Sequence, residues 1–318
     1  MIPLTSTSTS ISTSICIAST RPRAPRLIGA LAIATIAAIP ATLSGCVTGT
    51  EMPGGAPTGG GSPGGGTGGG TTGSGDTGSG GTGSGGGTGS GGARPIALVY
   101  RGPAGCDGCS ESVGAVLQSS KWNFDVHYVG PGEALQISAA TLATATLYAQ
   151  PGGDPSVDQA WTMMKADAPA ISAFIQSGGR YLGFCEGGYL AGKTPGFALL
   201  PGDTDQYITS KGASVTTDAD TVIPIVWRGR TRIMYFQDGP QFIIDPKAAT
   251  AASATVLATY TNGEIAALAA PYGAGKIAVV GPHPEADSGW YTDADLTDAD
   301  TDGTDADLAH DLIDTVMQ

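Results

Sequence analysis

The sequence is poor in positive charge, in histidine and in long apolar runs. Only 15 Lys and Arg stand against 28 Asp and Glu, for a formal net charge of −13. There is no basic stripe for phosphates to meet, so nucleic acid is not an expected partner. The three histidines are His127, His283 and His310, so any imidazole base must be one of these. The longest mostly apolar run, Leu27 to Ala41, has 15 residues. That is short of the roughly 20 that a membrane-crossing helix needs. Between Glu51 and Gly92 apolar side chains nearly vanish: 23 residues are Gly, and apart from prolines only Met52 and Ala56 are apolar. Such a stretch cannot bury a core and is not a domain.

What remains, residues 94–318, is 225 residues long, enough for one sizeable α/β domain with a single core. The acidity is concentrated at its end. Eleven of the 28 acidic residues lie between His283 and Gln318, where no Lys or Arg occurs.

Residues 1–46 have the character of an export signal. A positive cluster, Arg21-Pro-Arg-Ala-Pro-Arg26, precedes the apolar run, which leads to Leu43-Ser44-Gly45-Cys46. The order resembles the signal and lipobox of bacterial lipoproteins, which implies diacylation of Cys46 and a membrane partner through that anchor. An ordinary signal peptide with an incidental Cys46 is the alternative. The leader ahead of Arg21 is longer than such a signal needs, so translation is expected to start further downstream. Val47 rather than Asp after the Cys implies the outer membrane, where the cell has one. Residues 47–93 read as a flexible tether of Gly/Ser/Thr repeats, with a reach on the order of 35–40 Å.

In the domain, Ile96–Tyr100, Phe124–Val129, Ala145–Ala149 and Tyr181–Phe184 read as strands. Helical periodicity runs over Ser110–Gln118 and over Ser156–Gln176, where Pro169 should kink or divide the helix. This alternation predicts a parallel sheet covered on both faces. After residue 220 the pattern changes to strands over Val222–Trp227, Arg232–Phe236, Thr255–Tyr260, Ile265–Ala269 and Lys276–Val280. They are separated by turn signals, among them Asn262-Gly263. A terminal helix carries Leu308, Leu312, Ile313 and Val316 on one face.

The chemistry concentrates at Gly183-Phe184-Cys185-Glu186-Gly187. A strand ends, a thiol follows, and glycine stands two residues to either side. A sharp strand-to-helix turn around a nucleophile needs that spacing. It would expose the thiol at the carboxyl end of the sheet and at a helix start, which favours thiolate. A base could come from His283, which follows the Lys276–Val280 strand, with Glu285 two residues on to orient it. The N–H of Glu186 and the Pro151-Gly152-Gly153 loop could meet a developing oxyanion. The bland alternative for Cys185 is a small buried core thiol. His127 reads as structural, and His310 as solvated or packed.

Four stretches carry a family resemblance: Val99-Tyr-Arg-Gly-Pro103, Gln150-Pro-Gly-Gly-Asp154, Gly183-Phe-Cys-Glu-Gly-Gly-Tyr-Leu-Ala-Gly192 and Gly281-Pro-His-Pro-Glu285. Together they resemble the class I glutamine amidotransferase superfamily. More closely, they are similar to the amidotransferase-like N-terminal domain of biotin-protein ligases. The resemblance implies an α/β fold, a flavodoxin-like parallel sheet with helices on both faces and antiparallel hairpin strands in the C-terminal half. It also implies a Cys185–His283–Glu285 triad. One position departs: the amidotransferases carry a substrate-binding Gln four residues after the nucleophile, and here it is Tyr189. No ammonia-accepting domain is recognised in this chain. The expectation is a Cys-dependent hydrolase or amidase acting on a small-molecule or peptide-like substrate, with glutamine a poor one. A non-catalytic binding module on the same fold is the alternative.

Two further motifs stand apart. Cys106 and Cys109 form C-x-x-C, which in an exported protein favours a disulfide over a thiol redox centre. Asp298, Asp300 and Asp302 resemble the start of a calcium loop, D-x-D-x-D-G. Asp305 and Ala309 break the rest of that pattern, so a solvated acidic loop is the plainer reading and Ca2+ the only cofactor suggested.

Overall fold

The computed structural model describes residues 93–318. The expected leader, Cys46 and nearly all of the tether lie outside these residues. Among the described residues no helix is long and apolar enough to cross a membrane.

The first half alternates strand and helix. β1 (Ile96–Tyr100), α1 (Cys109–Ser119), β2 (Asp125–Val129), α2 (Ala139–Leu142) and β3 (Leu147–Gln150) are followed by α3 (Val157–Met164), α4 (Ala168–Gln176), β4 (Arg180–Phe184) and α5 (Glu186–Leu190). The long helical stretch is indeed divided, and Pro169 sits in the first turn of α4, where its missing N–H costs nothing. The second half is mostly strand: β5 (Gly202–Gln206), β6 (Thr221–Trp227), β7 (Arg230–Phe236), β8 (Pro240–Ile244), β9 (Thr255–Tyr260), β10 (Ile265–Tyr272) and β11 (Gly275–Val280). Two helices follow, α6 (Ser288–Asp293) and α7 (Ala306–Met317).

All these strands join one sheet, ordered β2-β1-β3-β4-β11-β10-β9-β6-β7, with β8 pairing β10 and β5 pairing β8. From β2 to β11 the neighbours are parallel; from β11 to β7 they are antiparallel. The expected fold class, a parallel core with antiparallel C-terminal strands, is the observed one.

The parallel strands are apolar on both sides because both faces are covered. Ala97 and Val99 of β1 pack with α1 and α7 through Val113, Leu117, Leu312 and Ile313. Leu98 and Tyr100 face the other way, toward Ala160, Met164, Ile171 and Ile175 of α3 and α4. The hairpin between β6 and β7 turns on Arg228 and Gly229, both at positive φ, as a two-residue turn that follows strand twist requires. β5 and β8 were not visible in the sequence. β5 is the polar run Gly-Asp-Thr-Asp-Gln, and β8 opens on Pro240, tolerated only because it is the first residue of its strand.

Asp298, Asp300 and Asp302, whose spacing resembles the start of a calcium loop, lie between α6 and α7. Among the described residues no three metal-ligating side chains gather to hold an ion. Asp302 instead pairs with Arg232 of β7 at 2.9 Å and accepts from the Ile233 N–H at 3.1 Å, while Asp300 receives the N–H groups of Asp302 and Gly303. The same guanidinium meets Asp305 and Asp307, each at 2.8 Å. Carboxylate repulsion in this segment is thus relieved by one arginine, and the spacing that suggested a cation loop serves to wrap it.

Asp305 is fully buried, and burial pushes its carboxyl up to about 8 even with Arg232 pulling it down. Replacing Arg232 by Met should therefore cost roughly 2–4 kcal/mol, since it strands a buried acid and two neighbours. Urea denaturation reads this directly. An unchanged midpoint would mean that the acidic segment holds without its arginine.

Candidate active site

Three adjacent parallel strands end at the same level. Gln150 of β3 is in register with Gly183 of β4, and Phe184 of β4 with Val280 of β11. Whatever follows each strand must therefore converge: Pro151-Gly152-Gly153, Cys185, and Gly281-Pro282-His283.

Cys185 has φ 47° and ψ −105°, a conformation L residues rarely adopt, and caps the five-residue helix α5. The strained turn holds because its neighbours leave no other path. A Cβ on Gly183 would press into the Gly187 carbonyl, and one on Gly187 into the Gln150 carbonyl. Both glycines that the spacing singled out are thus sterically required. Cys185 is unbridged and 7% exposed. Because α5 is so short, an extended helix dipole adds little, and the electrostatics of the thiol rest on its partner.

That partner is His283. The imidazole is buried, with its backbone N–H donating to the Tyr235 carbonyl at 2.9 Å and its ring packed beside Tyr235 and Trp290. Nδ1 lies 2.9 Å from Oε1 of Glu285, itself buried. Burial alone would pull the imidazole pKa down. The charge of Cys185, then that of Glu285, together with hydrogen bonds to both, overcomes this and pushes it up to about 10. Nδ1 faces Glu285, which leaves Nε2 for the thiol, and both neighbours favour the protonated ring.

The glycine loop after β3 closes the other side. A Cβ on Gly152 would come within 2.9 Å of His283 Cε1, and one on Gly153 within 2.8 Å of the Glu186 side chain. Cys106 and Cys109 are joined in a disulfide, and Cys106 N–H donates to the Gly152 carbonyl at 3.0 Å. The bridge therefore abuts the loop: the same Gly152 Cβ would sit 3.6 Å from Cys109 Sγ and 3.7 Å from Cys106 Sγ. The pair is thus in its oxidised form. The remaining histidines lie elsewhere, His127 beside Asp125 and His310 beside Ser119.

In front of the sulfur lies a cleft of about 400 Å3 whose walls include Cys185, Glu186, Tyr189, Gln206 and Asp238. His283 is not among the residues that line it. Tyr189 donates its hydroxyl to the Asp238 carbonyl at 3.1 Å, and Gln206 Nε2 donates to Asp238 Oδ2 at 2.7 Å. Burial first, and Asp238 second, push the Glu186 carboxyl up to about 8. Gln206, Asp218 and Asp238 come from the unforeseen strand β5 and from loops beside β6 and β8. Only the Asp238-Gly239 pair between two strands hinted at a turn there. Trp290, on α6, was missed as well.

The bridge gives a direct chemical expectation. When unreduced, denatured protein is treated with iodoacetamide, mass spectrometry should find Cys185 labelled and Cys106 and Cys109 unlabelled. Labelling of all three would mean that the bridge does not exist in solution.

Comparison with known proteins covers part of this picture. Residues 96–211 match the family described as "Biotin-protein ligase, N terminal". That span contains Cys185 and the glycine loop and stops before His283. No curated protein matches the sequence. Among solved structures, a glutamine amidotransferase is 13% identical, covering 60% of this chain and 90% of its own, with a TM-score of 0.44. A cytoplasmic protein from Salmonella typhimurium LT2 is 15% identical, covering 70% and 98%, with a TM-score of 0.43. A glutamine amido transferase from Methylobacillus flagellatus is 14% identical, covering 63% and 74%, with a TM-score of 0.42. Over residues 96–211 the chain thus carries the sequence pattern of a biotin-protein ligase N-terminal domain, within a mixed α/β sheet that continues through β11.

Proposed function

We propose that the domain is a cysteine-dependent hydrolase of the amidase type. The observation that carries this reading is the buried Cys185–His283–Glu285 arrangement with its imidazole pushed up to about 10. An imidazolium beside a thiol is what nucleophilic sulfur chemistry needs at neutral pH. Cys185 Sγ attacks a carbonyl carbon, and the carbonyl π electrons move to oxygen. That oxygen is received by N–H groups at Glu186 and at the Gly152-Gly153 loop; the first-turn N–H of α5 has no acceptor within its own helix. His283 passes its proton to the departing nitrogen as the C–N bond breaks, leaving a thioester. Water, deprotonated by His283, then cleaves the thioester and regenerates the thiol. Glu285 holds the ring and transfers no proton. Tyr189 occupies the cleft wall where the glutamine-specific enzymes carry Gln, so free glutamine is a poor substrate or none.

The N-terminal features support an exported domain, diacylated at Cys46 and tethered to the cell envelope, at the outer membrane where one is present. Two acyl chains anchor stably, where one binds only marginally.

Both parts are testable. In the wild type, the His283 ring resonances followed by NMR should titrate near 10. In Cys185→Ser the chief influence raising the imidazole is gone, so the midpoint should fall well below 10. His283→Ala should slow alkylation of Cys185 at pH 7 by roughly tenfold or more. Identical rates in the two proteins would reduce the triad to a family relic and favour a non-catalytic binding module. For the anchor, Cys46→Ser should release the protein from the membrane fraction or stall its processing. Unaltered fractionation together with unaltered gel mobility would remove it.

A further inference from the structure

The cleft in front of Cys185 has a charge pattern that the hydrolase reading does not use. Its walls carry four acidic residues, Asp154, Glu186, Asp218 and Asp238, and no Lys, Arg or His. Acidic side chains on a surface need no explanation, but Glu186 is only 4% exposed and its Oε1 has no hydrogen-bond partner. Oδ1 of Asp238 is likewise buried and unmatched, although Gln206 holds the other oxygen. A buried acceptor without a donor costs about 1–3 kcal/mol, more if charged. Glu186 and Asp238 both line the cleft, so two unmatched oxygens lie just beneath its wall, where donors are missing.

The missing donor could be a hydroxyl, a metal ion or an organic cation. A hydroxyl satisfies an acceptor but leaves the acidic charge of the cleft unbalanced. For a metal, at least three ligating side chains should converge, and among the described residues no such group exists. An ammonium or guanidinium brings several N–H donors and a positive charge at once.

We propose that this cleft contains a subsite for a primary ammonium or guanidinium group of the substrate, bound by Glu186 and Asp238 beside Cys185. The proposal rests on the hydrolase reading for the word substrate, and on the cleft alone for the cation. The raised pKa of Glu186, caused first by burial and then by Asp238, fits a carboxyl waiting for a positive partner. Binding would displace its proton. Tyr189 supports the site by fixing the Asp238 backbone, where φ is 46°. Asn also adopts that conformation readily, so Asp238→Asn removes charge without forcing the turn to change.

The test reads the charge preference of the cleft through the thiol itself. Methanethiosulfonates react by attack of the Cys185 thiolate on the sulfenyl sulfur, forming a mixed disulfide and expelling methanesulfinate. The full-length protein is treated separately with the 2-aminoethyl (cationic) and 2-sulfonatoethyl (anionic) reagents, and modification of Cys185 is followed by mass mapping. Each rate is divided by the rate of the same reagent with 2-mercaptoethanol. The corrected cation-to-anion ratio should be at least about tenfold in the wild type, as opposite charges at contact distance imply. It should fall several-fold in Asp238→Asn, and in Glu186→Gln when the reagents are compared above pH 8, where the Glu186 carboxyl is ionised. Asp125→Asn makes the same change in net charge on β2, at the other end of the parallel sheet, and should leave the ratio as it was. A ratio near one in the wild type, or equal falls in all three variants, would overturn the subsite. His283→Ala separates this test from that of the hydrolase. It should slow both reagents together, and if it slows neither, the nucleophile reading fails while the charge ratio still stands or falls by itself.

Discussion

The site depends on one constraint: β3, β4 and β11 run parallel, are adjacent, and end in register. Hydrogen-bond pairing of Gln150 with Gly183, and of Phe184 with Val280, fixes where the next residue of each strand begins. The glycine loop, the thiol and the imidazole are therefore neighbours by backbone geometry before any side chain is chosen. A slip of one residue would turn each strand's side chains to the opposite face and bury the wrong set. Because both faces are packed, by α1 and α7 on one side and α3 and α4 on the other, such a slip is expensive.

Given that frame, small residues do the fine placement. Gly183 and Gly187 let the chain cross itself closely enough to hold Cys185 at positive φ. Gly152 leaves room for the His283 ring, and the Cys106–Cys109 bridge lies against the same glycine. The charges are then arranged in layers. The imidazole lies against a buried carboxyl, and an acidic cleft opens at the sulfur. In a poorly solvated region such an arrangement acts on the reacting atoms more strongly than the same charges would in water.

The parallel core was legible because strands buried on both faces must be apolar throughout, as Ile96–Tyr100 and Lys276–Val280 are. The elbow and the histidine beside it were legible because each leaves a local mark: glycine on both sides of Cys185, and His-Pro-Glu directly after a strand. β5 and β8 were not, since their residues alternate weakly and their pairing is with each other and with β10 rather than with sequence neighbours. Asp238 and Gln206 were invisible for the same reason: they reach the cleft through those strands and the loops beside them. In the acidic segment, D-x-D-x-D-G fits any loop that wraps a positive group. Here the cation is Arg232, 70 residues from Asp302, and no local pattern announces it.

β11 has one more consequence, for the order of events during synthesis. It is the strand that joins the parallel half to the antiparallel half, and it also delivers His283. Cys185 and its elbow are translated about a hundred residues earlier. Between them lie β5 to β10, whose pairings of β6 with β9 and of β8 with β10 join segments distant in sequence. A chain still emerging has its thiol but not the histidine that faces it. Cys185 and His283 meet only when the last strand inserts between β4 and β10, so the site is complete only when the sheet is.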